Sequence, residues 1–458
     1  MTLMMLTTCH LEKIADDTFT PSFNIVNNGC AASCEISFEN TTESSSSQEW
    51  HFSDTSLVLS GTTATRRYQF PGLYQVTLYV WNNRGVKDSL TKDVNVTATS
   101  FEAFSSAYAP GEKAIQLPDG TYVVVGTKPV ANSTFTDVYL IGVNVDQSGE
   151  ITTPLFSKTF DIAAFDEVND MVLLSDGTIA IIGTASGQGS GYRDSVFYIR
   201  TNTLGDKISG PKKLAFSPSN NRGLGIAEAP DGSVMITGQS TDGTNADVFL
   251  AKYKSDLTVK YFPNPVINLP GYDSGVDVTL ADDGGYFVAG TTSSGNSAQT
   301  DVILLKLNAT GGLVSGFPKT FGTPTNYENT KAVTVADDGT VVIVGLSNKG
   351  SGDIYLIGTT QNGVSKSGYP LTLGDASLTE EGFDVVVSDG NYVIAGYKNV
   401  DAHLLKVNAN GLPIGSGKTF GGAGFDYFKS IETTHDGGFI LTGGKNDVLY
   451  LVKTKKDF

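Results

Sequence analysis

The chain of 458 residues is too long for one ordinary domain, and its 52 glycines and 17% charged residues are typical of a turn-rich, all-β protein. A formal net charge of −17 repels nucleic acids and anionic membrane surfaces, which excludes both as partners of the folded surface. The same charge is compatible with cations, basic partners or neutral glycans, and also with solubility alone. The three cysteines are too few for a disulfide-dense scaffold.

Residues 1–21 are interpreted as a leader and a polar tether. The apolar run before Cys9 is too short for a complete signal-peptide core and has no basic start. The stretch Leu6-Thr7-Thr8-Cys9 resembles the lipobox of bacterial lipoproteins, although Thr8 departs from the small residue preferred before the cysteine. The resemblance implies lipidation at Cys9, export to the cell surface, and membrane contact through a lipid anchor only. The alternative is an ordinary N-terminus.

Residues 22–97 alternate short apolar runs with turn residues, which predicts a small β-sandwich. Its motif positions are Trp50, Phe52, Asp54, Gly72, Tyr74, Val76, Leu78, Asn82 and Gly85. They resemble the polycystic-kidney-disease (PKD) domain, a family of spacer or interaction modules in exported proteins. Ser53 and Thr55 replace two glycines of the family motif, so that turn must be built differently.

Cys30 and Cys34 are separated by three residues within this region. A lone pair at this spacing lacks the second half of a zinc site. A local disulfide is compatible with an exported protein, although so short a loop adds little stability. Two free thiols are the alternative.

The remaining chain, residues 98–458, is organised by one repeat: Asp-Gly, five residues, then Gly. A recurring unit of about 50 residues indicates a repeat architecture. Asp-Gly between two apolar runs predicts a hairpin, and we expect the closing glycine to end the second strand. The seven copies begin at Asp119, Asp176, Asp231, Asp283, Asp338, Asp389 and Asp436 and close at Gly126, Gly183, Gly238, Gly290, Gly345, Gly396 and Gly443.

Each repeat continues with a third apolar run that opens on an aspartate, and then with a weaker fourth strand ending in sequences such as Lys319-Thr320-Phe321-Gly322. Four short antiparallel strands per repeat predict a β-propeller of seven blades. The pattern resembles bacterial seven-bladed propeller repeats, a family diverse in function, so the resemblance implies the fold alone. The third-strand aspartates are Asp137, Asp194, Asp247, Asp301, Asp353, Asp401 and Asp447.

The last repeat lacks a fourth strand after Asp447. We expect the segment 99–104 to supply it and so to close the ring, because closure removes an open sheet edge. The alternative is that this segment is a plain linker.

The seven third-strand aspartates form a ring by symmetry. They could hold Ca²⁺, which takes six to eight oxygen ligands, or each could accept backbone amides within its own blade. Repetition in every blade favours the structural role. We expect no other cofactor and find no catalytic motif in the sequence.

The loops between second and third strands are longest in the first four repeats, at 127–136, 184–193, 239–246 and 291–300. They predict a continuous ridge on one rim, in which Tyr192 and Arg193 are the candidate ligand-binding residues. We expect a monomeric, exported binding protein that recognises a glycan or a protein. A glycan lyase or hydrolase and a purely structural envelope component are the alternatives, as is loop drift on an inert scaffold.

Overall fold

The computed structural model divides into two compact units, Met1–Thr99 and Ser100–Phe458. Every regular element in its described residues is a β-strand. The structure describes residues 19–31, 34–68, 72–97, 100–144, 148–189, 192–214, 220–242, 244–258, 266–293, 299–348, 352–375 and 377–458.

The first unit contains seven strands in two sheets, which pair in the orders β1-β2-β5 and β4-β3-β6-β7. These strands are β1 (Phe23–Val26), β2 (Cys34–Asn40), β3 (Ser45–Phe52), β4 (Val58–Ser60), β5 (Thr63–Tyr68), β6 (Gly72–Asn82) and β7 (Lys87–Val96). Alternate residues of both sheets face one shared core, as expected for a sandwich.

Trp50 is the centre of that core and is fully buried. Its ring lies 5.2 Å from the ring of Phe23, and its indole N–H donates to the Gly61 carbonyl at 3.0 Å. Ser53 builds the turn that lacks the family's glycine, because its Oγ accepts the amide of Gln75 at 2.9 Å. Cys30 and Cys34 are joined by a disulfide bond.

The described residues of the second unit form seven consecutive four-stranded antiparallel blades. It opens with β8 (Phe101–Ser105). Blades 1 and 2 are β9 (Gly111–Gln116), β10 (Tyr122–Pro129), β11 (Thr136–Val143) and β13 (Phe156–Phe160), with a short β12 (Gly149–Glu150), then β14 (Phe165–Leu173), β15 (Ile179–Ser186), β16 (Ser195–Thr201) and β17 (Lys207–Leu214). Blades 3 and 4 are β18 (Asn220–Glu228), β19 (Ser233–Thr241), β20 (Ala246–Lys254) and β21 (Val266–Ile267), then β22 (Tyr272–Leu280), β23 (Tyr286–Ser293), β24 (Asp301–Leu307) and β25 (Lys319–Phe321).

Blades 5 and 6 are β26 (Glu328–Val335), β27 (Val341–Ser347), β28 (Asp353–Thr359) and β29 (Leu371–Leu373), then β30 (Glu380–Ser388), β31 (Asn391–Lys398), β32 (Asp401–Val407) and β33 (Lys418–Phe420). Blade 7 has β34 (Asp426–Thr433), β35 (Phe439–Lys445) and β36 (Val448–Thr454). Its outer strand is β8, which pairs antiparallel with β36 and so joins the two ends of the ring.

Apolar clusters lie between neighbouring blades, one at each of the seven junctions. The junction between blades 7 and 1 is closed in the same way as the others, by Leu449 and Leu451 packed with Tyr122. Burial between blades therefore stabilises a continuous ring, since burying apolar area is the main favourable term in folding.

The expectation that the repeat glycine ends the second strand is wrong. In blade 4, β23 continues to Ser293, three residues beyond Gly290. Gly290 faces Gly275 at a β-bulge, where a Cβ would lie 1.9 Å from the Ser274 carbonyl oxygen. The same close approach, between 1.8 and 2.1 Å, occurs at Gly183, Gly238, Gly345, Gly396 and Gly443. The glycine is required because the bulged neighbour leaves no room for a side chain.

Candidate functional site

The innermost strand of every blade carries one bulged residue, and all seven of these residues line a central channel with a cavity of about 250 Å³. A bulge adds one residue to one strand and redirects its side chain, so the repeat turns seven side chains toward one axis. The bulged residues are Glu112, Asn169, Leu224, Val276, Lys331, Phe383 and Lys429.

Three aspartates, each directly after a bulged residue, hold blades together inside the channel. Each carboxylate accepts the amide of the next residue in its own strand and one amide from the following blade. Asp170 accepts from Met171 and Ile226, Asp277 from Val278 and Val333, and Asp384 from Val385 and Ile431, all at 2.7 to 3.0 Å. These bonds tie blade 2 to 3, blade 4 to 5, and blade 6 to 7.

Lys113 contributes a positive charge to this carboxylate-lined interior. Its ammonium lies 3.2 Å from Asp384 and 3.1 Å from Glu432. Burial alone would lower the pKa of Lys113, but these carboxylates outweigh burial and hold the pKa well above its ordinary value. Lys113 therefore stays charged and links blade 1 to blades 6 and 7.

Burial acts on the aspartates in the opposite direction. It raises the pKa of Asp170 to about 6, against the lowering effect of Lys113. Burial also raises the pKa of Asp277 to about 7, with a further increase from the charge of Asp170. Both carboxyl groups thus titrate near neutral pH, because the interior disfavours their charged forms.

Four aromatic side chains form a cluster at the mouth of the channel, which we call the aromatic mouth: Phe383, Tyr397, Phe425 and Tyr427. Their ring centroids lie 5.2 to 6.4 Å apart. Phe425 is 45% exposed, so the cluster presents an accessible apolar face. Tyr397 lies near the end of β31, which places the mouth on the same rim as the loops between second and third strands.

Charged residues surround this aromatic face. The Lys331 ammonium lies 4.8 Å from the centre of the Phe383 ring, within the range of a cation–π interaction. Lys331 also pairs with Glu381 at 3.1 Å, and Lys429 pairs with Glu112 at 3.1 Å. An apolar platform with a few polar groups converging on it is the usual composition of a ligand site.

Blade 7 makes room for Tyr427 by means of a second glycine after its repeat glycine. Gly444 pairs with Tyr427 across β34 and β35, and a Cβ at Gly444 would lie 2.7 Å from the tyrosine ring. The corresponding position in blade 6 is Tyr397, itself part of the mouth. The residues directly after the repeat glycines of blades 6 and 7, Tyr397 and Gly444, therefore allow the cluster to form.

The aromatic mouth was not predicted from the sequence. A usable signal was present, because only one residue separates Phe425 from Tyr427, and extended backbone turns such residues to the same side; their rings lie 5.5 Å apart. The bulges that turn Phe383 inward have no equally clear signal.

The proposed ligand residues Tyr192 and Arg193 lie on the rim of blade 2. Tyr192 is 52% exposed, and its ring covers Gly187, where a Cβ would lie 2.0 Å away. The Lys213 ammonium lies 5.8 Å from the centre of the same ring. Arg193 is exposed. Tyr192 thus packs on its own blade and keeps an exposed face.

The four proposed long loops are shorter than the sequence indicated, because strands extend into each of them. For example, β10 continues to Pro129 and β15 to Ser186. The predicted continuous ridge includes residues 190–191, 243 and 294–298, which lie outside the described residues.

The third-strand aspartates do not share one environment. Asp247 accepts the amide of Leu269 at 3.2 Å, which is the structural role expected for the ring. In the described structure, Asp137 instead lies with Asp161 and Asp166 in a group in which one oxygen from each carboxylate is within 4.8 Å of the other two. Repetition of an aspartate therefore does not imply one function at every blade.

Two expectations concern the membrane. Cys9, the proposed lipidation site, lies outside the described residues. Among those that are described, no helix is long and apolar enough to span a membrane.

Comparison with known proteins identifies the class of fold in each unit. Residues 20–98 match the family model of the PKD domain. No curated protein matches the sequence significantly. Among solved structures, the BP39L lectin of Burkholderia pseudomallei is similar at 10% identity, with 78% of this chain and 96% of the lectin covered and a TM-score of 0.52.

Two further structures are similar at 12% identity, both with a TM-score of 0.46. The periplasmic gluconolactonase PpgL of Pseudomonas aeruginosa aligns over 89% of this chain and 99% of its own. The alpha-L-arabinanase of Penicillium chrysogenum aligns over 63% and 94%, respectively. At such low identity the likeness to the lectin concerns the fold alone, and together with the PKD match it confirms the predicted all-β architecture with a PKD-like first unit.

Proposed function

We propose that the protein is a non-catalytic binding protein that holds a glycan at the aromatic mouth of its propeller. The observation that carries the proposal is the cluster of Phe383, Tyr397, Phe425 and Tyr427, in which Phe425 is exposed and the other three are half-buried. Aromatic faces can stack on the apolar face of a sugar ring, and the nearby charged side chains can bond to its hydroxyl groups. Because Phe383, Tyr397 and Tyr427 project from strands and Phe425 directly precedes β34, the platform is held rigid before binding, which reduces the entropy lost on association.

A glycan hydrolase or lyase is the second candidate, because Asp170 and Asp277 have raised pKa values in the channel, as catalytic acids often do. Each of these carboxylates, however, accepts two backbone amides from two blades. Those bonds assign both groups to the scaffold and favour binding over catalysis.

The test begins with a glycan array, followed by a hydrolysis assay on the same panel. Phe425→Ala should weaken binding of the best glycan at least tenfold, since hot-spot aromatics contribute about 2 kcal/mol or more. Tyr272→Ala is the matched control. Tyr272 precedes the buried Asp273 in blade 4 as Phe425 precedes the buried Asp426 in blade 7, and it is 48% exposed.

Three outcomes contradict the proposal. Turnover of a bound glycan would favour the enzyme. An array without any binding would favour a structural envelope component or a protein ligand. Equal losses for the Phe425 and Tyr272 variants would move the site away from the mouth.

We further propose that the protein acts as a monomer at the cell surface, anchored through a lipid on Cys9. The disulfide between Cys30 and Cys34 supports export, because disulfides persist mainly in oxidising compartments. Cys9→Ala expressed from the full gene should shift the protein from the membrane fraction to the soluble fraction. A wild type that is already soluble in the cytoplasm would contradict this proposal.

A further inference from the structure

The junction between blades 1 and 2 differs by one added carboxylate from the three junctions that follow blades 4, 5 and 6. Three other blades end their fourth strand with a glycine after the final apolar residue: Gly322, Gly374 and Gly421. At each of these a Cβ would lie 1.9 to 2.2 Å from an aspartate oxygen, so the glycine makes room for a buried acid. Blade 1 has Asp161 at this position, which brings another acid to a place that already holds two.

The two resident acids are Asp137, which opens the third strand of blade 1, and Asp166, near the start of the first strand of blade 2. One oxygen from each of the three carboxylates lies within 4.8 Å of the other two. Like charges this close repel strongly in a partly buried setting. Lys128, which faces Asp137 across β10 and β11, donates to Thr159 Oγ1 at 2.8 Å.

Asp166 gives an independent indication of a cation site. The residue is fully buried, and its Oδ2 accepts the amides of Ile162 and Ala163 at 2.8 and 3.2 Å. Its second oxygen, Oδ1, is buried without a hydrogen-bond partner in the described structure. A buried carboxylate oxygen without a partner is costly and calls for an explanation such as an ion.

The equivalent acid at another junction has both oxygens satisfied. Asp426, at the start of blade 7, accepts the amide of Gly422 at 2.8 Å and the amide of Asn446 at 3.2 Å through its two oxygens. There the fourth strand is followed by glycine. Asp273, at the start of blade 4, is likewise buried and has both oxygens unpartnered in the described structure, so Asp166 is distinguished by its two carboxylate neighbours together with its unpartnered oxygen.

We propose that Asp137, Asp161 and Asp166 bind one Ca²⁺ ion at the junction of blades 1 and 2. Oxygens on opposite sides of Ca²⁺ are about 4.6 to 5.2 Å apart, given Ca–O distances of about 2.3 to 2.6 Å, and the three carboxylates fall within that spread. Mg²⁺ needs a tighter octahedron, at about 2.1 Å from each oxygen. Asp161 is exposed, which leaves water to complete the coordination sphere and gives the ion a path of entry.

The test uses the full chain freed of metal and titrated with Ca²⁺ by calorimetry at 150 mM salt. We expect one site with a Kd of about 10⁻⁴ to 10⁻³ M, as in extracellular calcium modules. Calcium should also raise the thermal midpoint, and chelation should reverse the rise, because a ligand that binds only the folded state stabilises it. Mg²⁺ should bind at least tenfold more weakly.

Asp161→Gly restores the residue that three other blades carry and should weaken Ca²⁺ binding at least tenfold without unfolding the protein. Asp137→Asn should do the same. Asp301→Asn is the matched control, because Asp301 occupies the corresponding position beside Gly322 and should leave affinity unchanged. A wild type without calcium binding, or an Asp161→Gly protein that binds as the wild type does, would overturn the proposal, as would an equal loss in the Asp301 variant.

Discussion

Blades 1–4 and blades 6–7 present different surfaces on the same rim of one ring. The first group carries the longest loops between second and third strands, whereas the second has short loops and the aromatic mouth. In the first group, Tyr192 packs on a loop glycine; in the second, Tyr427 packs on Gly444 within a strand pair. The difference shows that an aromatic face can form on this rim without long loops, because a bulge turns Phe383 toward Tyr397 and Tyr427.

The largest predicted effect concerns Lys113, which connects the two groups of blades across the channel. Lys113→Met should lower the free energy of unfolding by about 3 kcal/mol or more at pH 8, because it leaves buried carboxylates without their cation. If the ion pairs of Lys113 with blades 6 and 7 do not stabilise the ring, the loss of unfolding free energy would be small. Urea unfolding followed by tryptophan fluorescence and circular dichroism measures it.

The same variant has a pH signature. Asp170 and Asp277 have pKa values of about 6 and about 7 in the folded protein, above the unfolded value of about 3.9. The folded state therefore binds more protons, and the stability they contribute is present below about pH 4 and is lost as the pH rises through 6 to 7. Removal of the Lys113 charge raises both pKa values further, so the deficit of Lys113→Met should be larger at pH 8 than at pH 5. An equal deficit at both pH values would show that Lys113 acts through packing alone.

The second prediction contrasts the two glycines that support aromatic rings. Gly444→Ala should cost about 1 to 3 kcal/mol and weaken glycan binding, because its Cβ displaces a tyrosine ring held within a packed strand pair. Gly187→Ala places a Cβ even closer to Tyr192 but should cost less than about 0.5 kcal/mol, since an exposed ring on a loop can move away. Thermal unfolding of both variants at one pH makes the comparison. Equal costs would mean that Tyr192 is as firmly held as Tyr427.

The smallest predicted effect concerns the loop residues themselves. Replacing Tyr192 and Arg193 together by alanine should change the free energy of unfolding by less than about 0.5 kcal/mol, as is usual for surface positions. If the mouth in blades 6 and 7 binds the glycan, affinity should also remain within twofold of the wild type. A clear loss of affinity would return the binding site to the long loops, where the sequence alone had suggested it.

The sequence was sufficient to predict the all-β fold, because the Asp-Gly turns and alternating apolar runs are local signals with a fixed period. Gly290 shows the limit of such local signals. The fixed spacing of the repeat indicated that this position must be a glycine, but the reason is the Ser274 carbonyl on the neighbouring strand. Phe383 was missed for the same reason. A bulge depends on how two strands pair, and nothing next to Phe383 in the sequence indicates that it faces a channel.

The calcium group shows a further limit. Asp137 looks like six other aspartates in the sequence, and only its neighbours in space distinguish it. The informative residue was Asp161, which departs from the glycine found after the fourth strand in three other blades. Departures from a repeat, rather than the repeat itself, were the better guide to special chemistry in this chain.

The seam between β8 and β36 has a consequence for how the protein is made. Tyr450 in β36 donates to Glu102 in β8 at 2.5 Å, and these partners are 348 residues apart in the chain. At a synthesis rate of about 5 to 20 residues per second, β8 leaves the ribosome roughly 20 to 70 seconds before its partner strand exists. During that interval the earlier blades can already stack on one another, while β8 waits with an unpaired edge. The ring is thus closed by pairing its first synthesised strand, β8, with its last, β36. Any factor that covers the edge of β8 during translation would prevent that edge from pairing with a neighbouring chain.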